Sequence, residues 1–184
     1  MSSEERKNYN DYMDRIIISD ASALINLNHI NKIYFLRELF SEIYTTNEVK
    51  NECHFELPIW IKIKDPRQTT LNLLDKKGID KGEKTAIALA YEISIKYEDR
   101  LIENKPCLIL DDGKAKKKYD KLKLGVESIN TSDILGFAFD KKFFSKEEGF
   151  DYIKILEKNK CKCKFKEDTI NKIFNINIKQ EKKR

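Results

Sequence analysis

The stretch RIIISDAS, residues 15–22, decides the fold class of this chain. Residues 15–19 form a short apolar run, which is typical of a strand buried on both faces of a parallel sheet. Asp20 follows the run directly, and residues 23–40 then carry Leu and Ile at helical spacing, with a predicted break at Asn31. A buried strand that leads into a helix favours an α/β fold.

A second strand of the same kind lies at residues 107–110 (CLIL), stopped by Asp111, Asp112 and Gly113. Further strands are predicted at residues 43–45, 57–64 and 125–129. Helices are predicted at residues 46–53, 69–77, 79–97, 114–123, 131–144, 147–157 and 168–174. Because short apolar strands alternate with helices, we expect an α/β fold with a mainly parallel central sheet.

Two carboxylates follow the two most apolar strands directly. In open parallel sheets, functional groups gather outside the carboxyl ends of the strands, so Asp20 and Asp111 are candidates to meet although 91 residues separate them. The alternative for each is an ordinary helix N-cap, which stabilises a helix by about 1 kcal/mol. Likewise, Glu83 could close a capping box with Asp80, and Glu52 could be a solvated helix acid.

Composition limits the class of protein. The chain has 184 residues, of which 36% are charged and 40% hydrophobic, so we expect one globular domain with an elaborated C-terminal end. No apolar run approaches the roughly 20 residues of a membrane span. The N-terminal residues lack the pattern of a secretory signal, so a cytoplasmic location with reduced cysteines is expected. Cys161 and Cys163 alternate with lysines, which favours a buried strand face over a zinc site.

The net charge of +5 is unevenly distributed. Residues 114–123 carry a net +5 and residues 179–184 a net +3, which leaves the remainder at −3. Basic patches on an acidic body suit a polyanionic partner. The alternative is that these lysines form solvated helix faces.

Several motifs, in their order and spacing over about residues 15–142, resemble those of the PIN-domain nucleases, in particular the VapC-like toxin group. They are SDASALI (19–25), NEVKNE (47–52), KGEKTAIALA (81–90), LILDD (108–112) and NT (130–131). The resemblance implies a three-layer α/β/α domain over residues 15–144, preceded by a polar segment (1–14). It is followed by a helical extension of the same domain (145–178) and a basic tail (179–184).

The resemblance also implies Mg²⁺- or Mn²⁺-dependent hydrolysis of RNA by an acidic site. Its implied catalytic acids are Asp20, Glu52, Glu83 and Asp111, with Glu48 as the alternate to Glu52, and its implied metal ligands are Asp20, Glu83, Asp111 and Asp112. Supporting hydroxyls would come from Ser22 and Thr131, and RNA contacts from Lys114, Lys116, Lys117 and Lys118. Ala21 departs from the family pattern, in which Thr is common. Carboxylates suit a hard cation that activates water, and such a mechanism needs no histidine base.

Several alternatives to a toxin remain open at this level. A toxin implies a small antitoxin partner, and the family often forms homodimers; apolar residues of the 33–40 helix are expected to be exposed for such contacts. A housekeeping RNA-processing nuclease, a nonenzymatic PIN-like binding module and a receiver-like phospho-acceptor domain are the other candidates.

Overall fold

Within residues 8–74, 79–98, 105–161 and 165–175, which the computed structural model describes, five short strands form one sheet. They are β1 (Ile16–Ser19), β2 (Glu42–Thr45), β3 (Ile61–Ile63), β4 (Cys107–Ile109) and β5 (Glu127–Ile129). Their order is β3-β2-β1-β4-β5, and every neighbouring pair is parallel. This order differs from the 2-1-3-4-5 arrangement of flavodoxin-like folds, which disfavours the receiver-like interpretation.

Nine α-helices of the described residues complete a three-layer α/β/α fold. They are α1 (Ala21–His29), α2 (Phe35–Leu39), α3 (Asn47–Glu52), α4 (Gln68–Leu74), α5 (Lys81–Glu98), α6 (Gly113–Leu122), α7 (Thr131–Asp140), α8 (Lys146–Lys158) and α9 (Glu167–Ile173). A 3-10 turn at Tyr9–Asp11 precedes β1. Asn31 takes the left-handed conformation (φ 55°) between α1 and α2, which confirms the predicted break.

The central strands β1 and β4 are buried on both faces, as their apolar sequences predict. Ile17, Ile18, Leu108 and Ile109 are all fully buried. The register pairs Ser19 with Ile109, so the two strands end side by side. The chain passes from β1 outward to β2 and β3 on one side, and then returns to β4 on the other side of β1. The carboxyl ends of β1 and β4 therefore form the topological switch point at which open α/β sheets bind ligands.

The C-terminal helices belong to the same hydrophobic core. Aromatic contacts join α7 and α8 to the segment after α9, with the Phe139 and Phe150 rings 5.1 and 4.9 Å from that of Phe174. Gly149 permits this packing, because a Cβ there would lie 2.5 Å from Phe174 and 2.7 Å from Phe144. The N-terminal segment also contributes to the core, since Tyr12 is buried and stacks on Phe137 of α7.

Three expectations need correction. Most apolar residues of the 33–40 helix are buried rather than exposed: Phe35, Leu36, Leu39 and Phe40 are at most 5% exposed, whereas Ile33 is half-buried and Tyr34 is 43% exposed. The predicted helix at 131–144 ends at Asp140, because Lys142 adopts a left-handed φ of 60° and Phe143 N donates to Ala138 O, the bond that closes a Schellman motif. The predicted strand at 57–64 is confined to Ile61–Ile63, since Ile61 N donates to Pro58 O in a turn.

Other expectations concern the surface and the ends of the chain. Both histidines, His29 at the end of α1 and His54 in the loop after α3 (φ 48°), are exposed. The predicted strand around Cys161–Phe165 and the tail after residue 178 fall outside or largely outside the described residues. No described helix combines the length and the apolar character that crossing a membrane requires.

Candidate functional site

Asp111 lies two residues beyond the end of β4 and is only 7% exposed. Three donors hold its carboxylate. Thr131 N, at the start of α7, donates to Oδ1 (2.7 Å), while Thr131 Oγ1 (2.5 Å) and Asn26 Nδ2 of α1 (2.7 Å) both donate to Oδ2. Since α7 begins directly after β5, this network ties the end of β4 to the elements on either side of it.

Asp20 follows β1 and is 1% exposed. It is the N-cap of α1, because its Oδ1 accepts from Ala23 N at 3.1 Å. Its backbone N donates to Ile109 O of β4 at 3.3 Å, which continues the ladder of the sheet. The backbone therefore places Asp20 next to the end of β4, within two residues of Asp111, as the sequence predicts for the carboxyl ends of parallel strands.

Glu83 and the carboxylate of Glu52 both lie at the start of α5. Glu83 lies in the first turn of that helix and is 8% exposed. Glu52 is exposed and ends α3, and its carboxylate lies directly over Gly82: a Cβ added to that glycine would be 2.4 Å from Glu52 Oε1. The peptide N–H groups of a first helical turn and the helix dipole favour a carboxylate at this place.

Hydroxyl groups join α3 to α5 behind these acids. Thr46, the N-cap of α3, and Thr85 of α5 are buried with their hydroxyl oxygens 2.8 Å apart. Thr85 Oγ1 also donates to Gly82 O at 2.8 Å. Glu48, the alternate acid, forms an ion pair with Lys81 (2.7 Å), so of the two glutamates Glu52 is the one whose carboxylate lies against Gly82.

Cys53 provides an electrostatic link between two of these acids. It is buried at the C-cap of α3, and its burial together with the charges of Asp20 and Glu52 raises the pKa of its thiol to about 12. The thiol is therefore neutral at pH 7. Because both carboxylates act on this one group, the end of β1 and the end of α3 face the same region of the protein.

The basic helix α6 begins two residues after Asp111, at Gly113. Asp112 is its N-cap, with Oδ1 accepting from Lys114 N (2.7 Å) and Ala115 N (3.1 Å). Ala115 and Tyr119 are the buried residues of this helix. The lysines expected to contact RNA lie on its remaining surface. Lys116 is half-buried, and Lys114, Lys117 and Lys118 are exposed.

The oxygen donors suit a hard divalent cation, although they do not form one tight cluster. Among the residues that the structure describes, no group of three or more His, Cys, Asp or Glu side chains lies close enough together to hold a metal ion. In the same part of the chain, Asp20 Oδ2 and Glu83 Oε1 are buried atoms that accept no hydrogen bond, although both residues have further interactions. Mg²⁺ is commonly held by only one or two carboxylates, with water and substrate phosphate completing its shell. The donor set around Asp20 and Asp111 fits that mode.

The arrangement of the predicted site residues follows from these contacts. Asp20 and Asp111 follow the ends of neighbouring strands at the switch point, Thr131 binds Asp111 directly, and Ser22 is half-buried in the first turn of α1. Asp112 serves as a helix cap. Sequence reasoning missed Asn26, Gly82 and the Thr46–Thr85 pair. Asn26 did carry a signal, as an amide among Ala23, Leu24 and Leu27 of α1.

Comparison with known proteins gives one family. No curated protein and no solved structure matches the chain. The family model DUF3368, described as a PIN domain, matches residues 16–173, which run from the first residue of β1 to the last residue of α9 and include every candidate acid. With its parallel sheet, its three layers and its acids at the ends of the strands, the chain belongs to the PIN-domain family and has the nuclease-like fold of that family.

Proposed function

We propose that this protein is a metal-dependent endoribonuclease that hydrolyses RNA phosphodiester bonds. The observation that carries the proposal is the burial of Asp20 and Asp111 just beyond the ends of two neighbouring strands, at the switch point of the sheet. Buried carboxylates are unfavourable unless hydrogen bonds, positive charge or a cation compensate for the lost solvation. Hydrogen bonds from Thr131 and Asn26 to Asp111, and from Ala23 N to Asp20, supply part of this compensation. A cation would balance the negative charge that the two acids bring to the switch point.

The acids have distinct roles in this proposal. Asp20 and Asp111 would hold the cation, and Thr131 and Asn26 orient the Asp111 carboxylate. A Mg²⁺ or Mn²⁺ ion held by these residues would supply a Lewis acid for activating water and for neutralising charge on the phosphate. Glu83 and Glu52, which both lie at the start of α5, would supply the other acids of the site.

The lysines of α6 would bind the RNA backbone. Because α6 begins one residue after Asp112, its exposed cations lie next to the proposed site, where they raise the local concentration of a polyanion. The preference for RNA over DNA comes from the resemblance to the toxin group rather than from a base-reading pocket.

Thermal unfolding with and without Mn²⁺, in wild type and Asp20→Asn, tests the metal site without knowledge of the substrate. At 100 times its dissociation constant, a ligand adds about 2.7 kcal/mol of stability, which raises Tm by about 5–10 °C for a domain of this size. We expect the shift in wild type and in the matched control Asp151→Asn on the exposed surface of α8, and its loss in Asp20→Asn.

RNA cleavage is then measured in Mn²⁺ with the same three proteins. We expect cleavage by wild type and by Asp151→Asn, and none by Asp20→Asn. The proposal is refuted if wild type leaves both structured and unstructured RNA intact and Asp20→Asn behaves like wild type in every assay. In that case the nonenzymatic binding module becomes the better interpretation.

The biological setting we propose is a toxin–antitoxin pair acting in the cytoplasm. Expression of a toxin arrests growth, and Asp20→Asn should abolish the arrest without lowering the amount of protein. A small antitoxin should relieve it, whereas a housekeeping RNA-processing nuclease should not arrest growth at all. Any antitoxin or second copy must bind elsewhere than the apolar side chains of α2, because these are buried.

A further inference from the structure

We infer that Asn26 is a positioning residue for the acid Asp111. The inference rests on the proposed function, since it takes Asp111 to be a metal ligand. It adds a residue that lies outside the acidic motifs and reaches the site from the inner face of α1.

Asn26 is the one polar residue among the buried residues of α1. It is 4% exposed, and the other buried residues of α1 are Ala21, Ala23, Leu24 and Leu27, all apolar. Asn is a poorer helix former than Leu or Ala, and a buried amide is unfavourable without hydrogen bonds. Neither helix propensity nor packing therefore accounts for an amide at this position.

The partner of the amide explains its place. Asn26 Nδ2 donates to Asp111 Oδ2 at 2.7 Å, across 85 residues of sequence. A hydrogen bond from an amide to a carboxylate is stronger than one between neutral groups. The amide of Asn26 therefore lies on the core-facing surface of α1 because it binds one particular carboxylate, that of Asp111.

Counting acceptor sites shows what the bond does. A carboxylate offers about four lone-pair positions. Thr131 occupies two of them, one on each oxygen, and Asn26 occupies a third on Oδ2. Without Asn26, Thr131 alone would hold the Asp111 carboxylate, with one donor on each oxygen, and nothing would fix it from the side of α1. With Asn26, one direction remains for a further ligand.

Asn26 also couples the two central acids. Asp20 is the N-cap of α1, and Asn26 lies on the same helix six residues later. The helix thus holds one acid at its start and orients the other from its side. Any shift of α1 would move both, so the separation of Asp20 and Asp111 is set by a rigid element rather than by two loops.

Isothermal titration with Mn²⁺ alone tests this inference on wild type, Asn26→Leu, Asn28→Leu and Asp20→Asn. Leu is nearly isosteric with Asn and removes the donor. Loss of a residue that orients a metal ligand typically weakens metal affinity 10–100-fold, and we expect an increase in Kd of this size for Asn26→Leu. Asn28→Leu is the matched control on the same helix, since its side chain is not among the donors to Asp111, and its Kd should equal that of wild type.

A purely structural role gives a different result. In that case Asn26→Leu lowers the free energy of unfolding of the metal-free protein but leaves the Kd for Mn²⁺ unchanged, which would overturn the inference while the proposed function stands. If wild type itself binds no Mn²⁺, the proposed function fails first and the inference falls with it. The two failures are therefore distinguishable.

A measurement without any variant guards against misfolding of Asn26→Leu. The side-chain amide resonances of Asn26 in ¹⁵N-labelled wild type should shift on addition of Mg²⁺, because their acceptor becomes a metal ligand. Unmoved Asn26 resonances, beside a shifting Thr131 amide, would contradict the inference.

Discussion

Replacing Gly82 with Ala should leave the fold intact and impair the proposed nuclease. Gly82 is the second residue of α5, and the Glu52 carboxylate lies against it. A Cβ at this position would lie 2.4 Å from Glu52 Oε1 and 2.8 Å from Oε2 and Cδ. Real Cβ atoms do not approach other heavy atoms so closely, so one of the two groups must move.

The structure indicates which group moves and how far. Glu52 is exposed and ends in a flexible side chain, whereas Gly82 is fixed in a helix. An ordinary contact begins at 3.4 Å, so Glu52 Oε1 must retreat by about 1 Å. Ala is a better helix former than Gly by up to about 1 kcal/mol, so stability should be unchanged or slightly higher. A displacement of about 1 Å in a catalytic constellation can cost about 100-fold in rate.

The assay pairs urea unfolding with RNA cleavage in Mn²⁺. Gly113→Ala is the matched control, because Gly113 is also in the first turn of a helix and a Cβ there meets nothing within 4 Å. We expect Gly113→Ala to be as stable and as active as wild type. Gly82→Ala should be as stable but should cleave about 10–100-fold more slowly.

A double-mutant cycle shows whether the effect passes through Glu52. If it does, Gly82→Ala causes no further loss of cleavage rate in a Glu52→Gln background, because the carboxylate that it displaces has already been removed. Full activity of Gly82→Ala, or an equal loss in both backgrounds, would refute the reasoning. A large loss of stability would refute it as well, since it would mean that the backbone rather than the side chain had yielded.

Three further predictions follow from the same structure. Thr131→Val removes a hydrogen bond to the buried Asp111 carboxylate and should lower the free energy of unfolding by about 1.5–3 kcal/mol in urea titrations; unchanged stability would contradict the network described for Asp111. Replacing Lys117 and Lys118 with Ala should lower RNA affinity and reduce the slope of log K against log salt by about 1.4, measured by fluorescence anisotropy at several salt concentrations; an unchanged slope means that α6 does not contact the phosphates. Burial raises the pKa of Cys53 from 9.0 to about 12, so above pH 9 unfolding releases a proton that the folded thiol keeps, and stability falls as pH rises. Relative to Cys53→Ala, wild type should lose about 1.4 kcal/mol per pH unit between pH 9 and pH 12, and parallel pH profiles of the two proteins would refute this assignment.

The apolar strands made the fold predictable. The runs that became β1 and β4 are apolar except for Ser19, the last residue of β1, so neither shows the alternation of a strand with one solvent face, and both are expected to be central strands of a parallel sheet. That placement alone brings Asp20 and Asp111 together, since parallel neighbours end at the same edge. The edge strand β3 was predicted too long, because an alternating pattern does not reveal that Pro58 begins a turn.

The contacts between the side chains of the site were not predictable in the same way. The bond from Asn26 to Asp111 depends on the angle at which α1 crosses the ends of the strands, and the approach of Glu52 to Gly82 depends on the packing of α3 on α5. Both are tertiary distances between residues 30 or more positions apart, which no local pattern encodes. The sequence does mark such places indirectly, by an amide or a glycine where the helix would be more stable with Leu or Ala.

The two aspartates that follow β4 explain why a capping role does not exclude a role in the site. At β4 the tasks are divided: Asp112 caps α6, and the Asp111 carboxylate is held by Thr131 and Asn26. At β1 a single residue stands in the corresponding place, and the cap of α1 uses only Oδ1 of Asp20. A carboxylate has two oxygens, so one of them can fix the helix while the side chain as a whole still brings negative charge to the switch point. The cap therefore holds the Asp20 side chain in place, which is the preorganisation that a ligand for a cation requires.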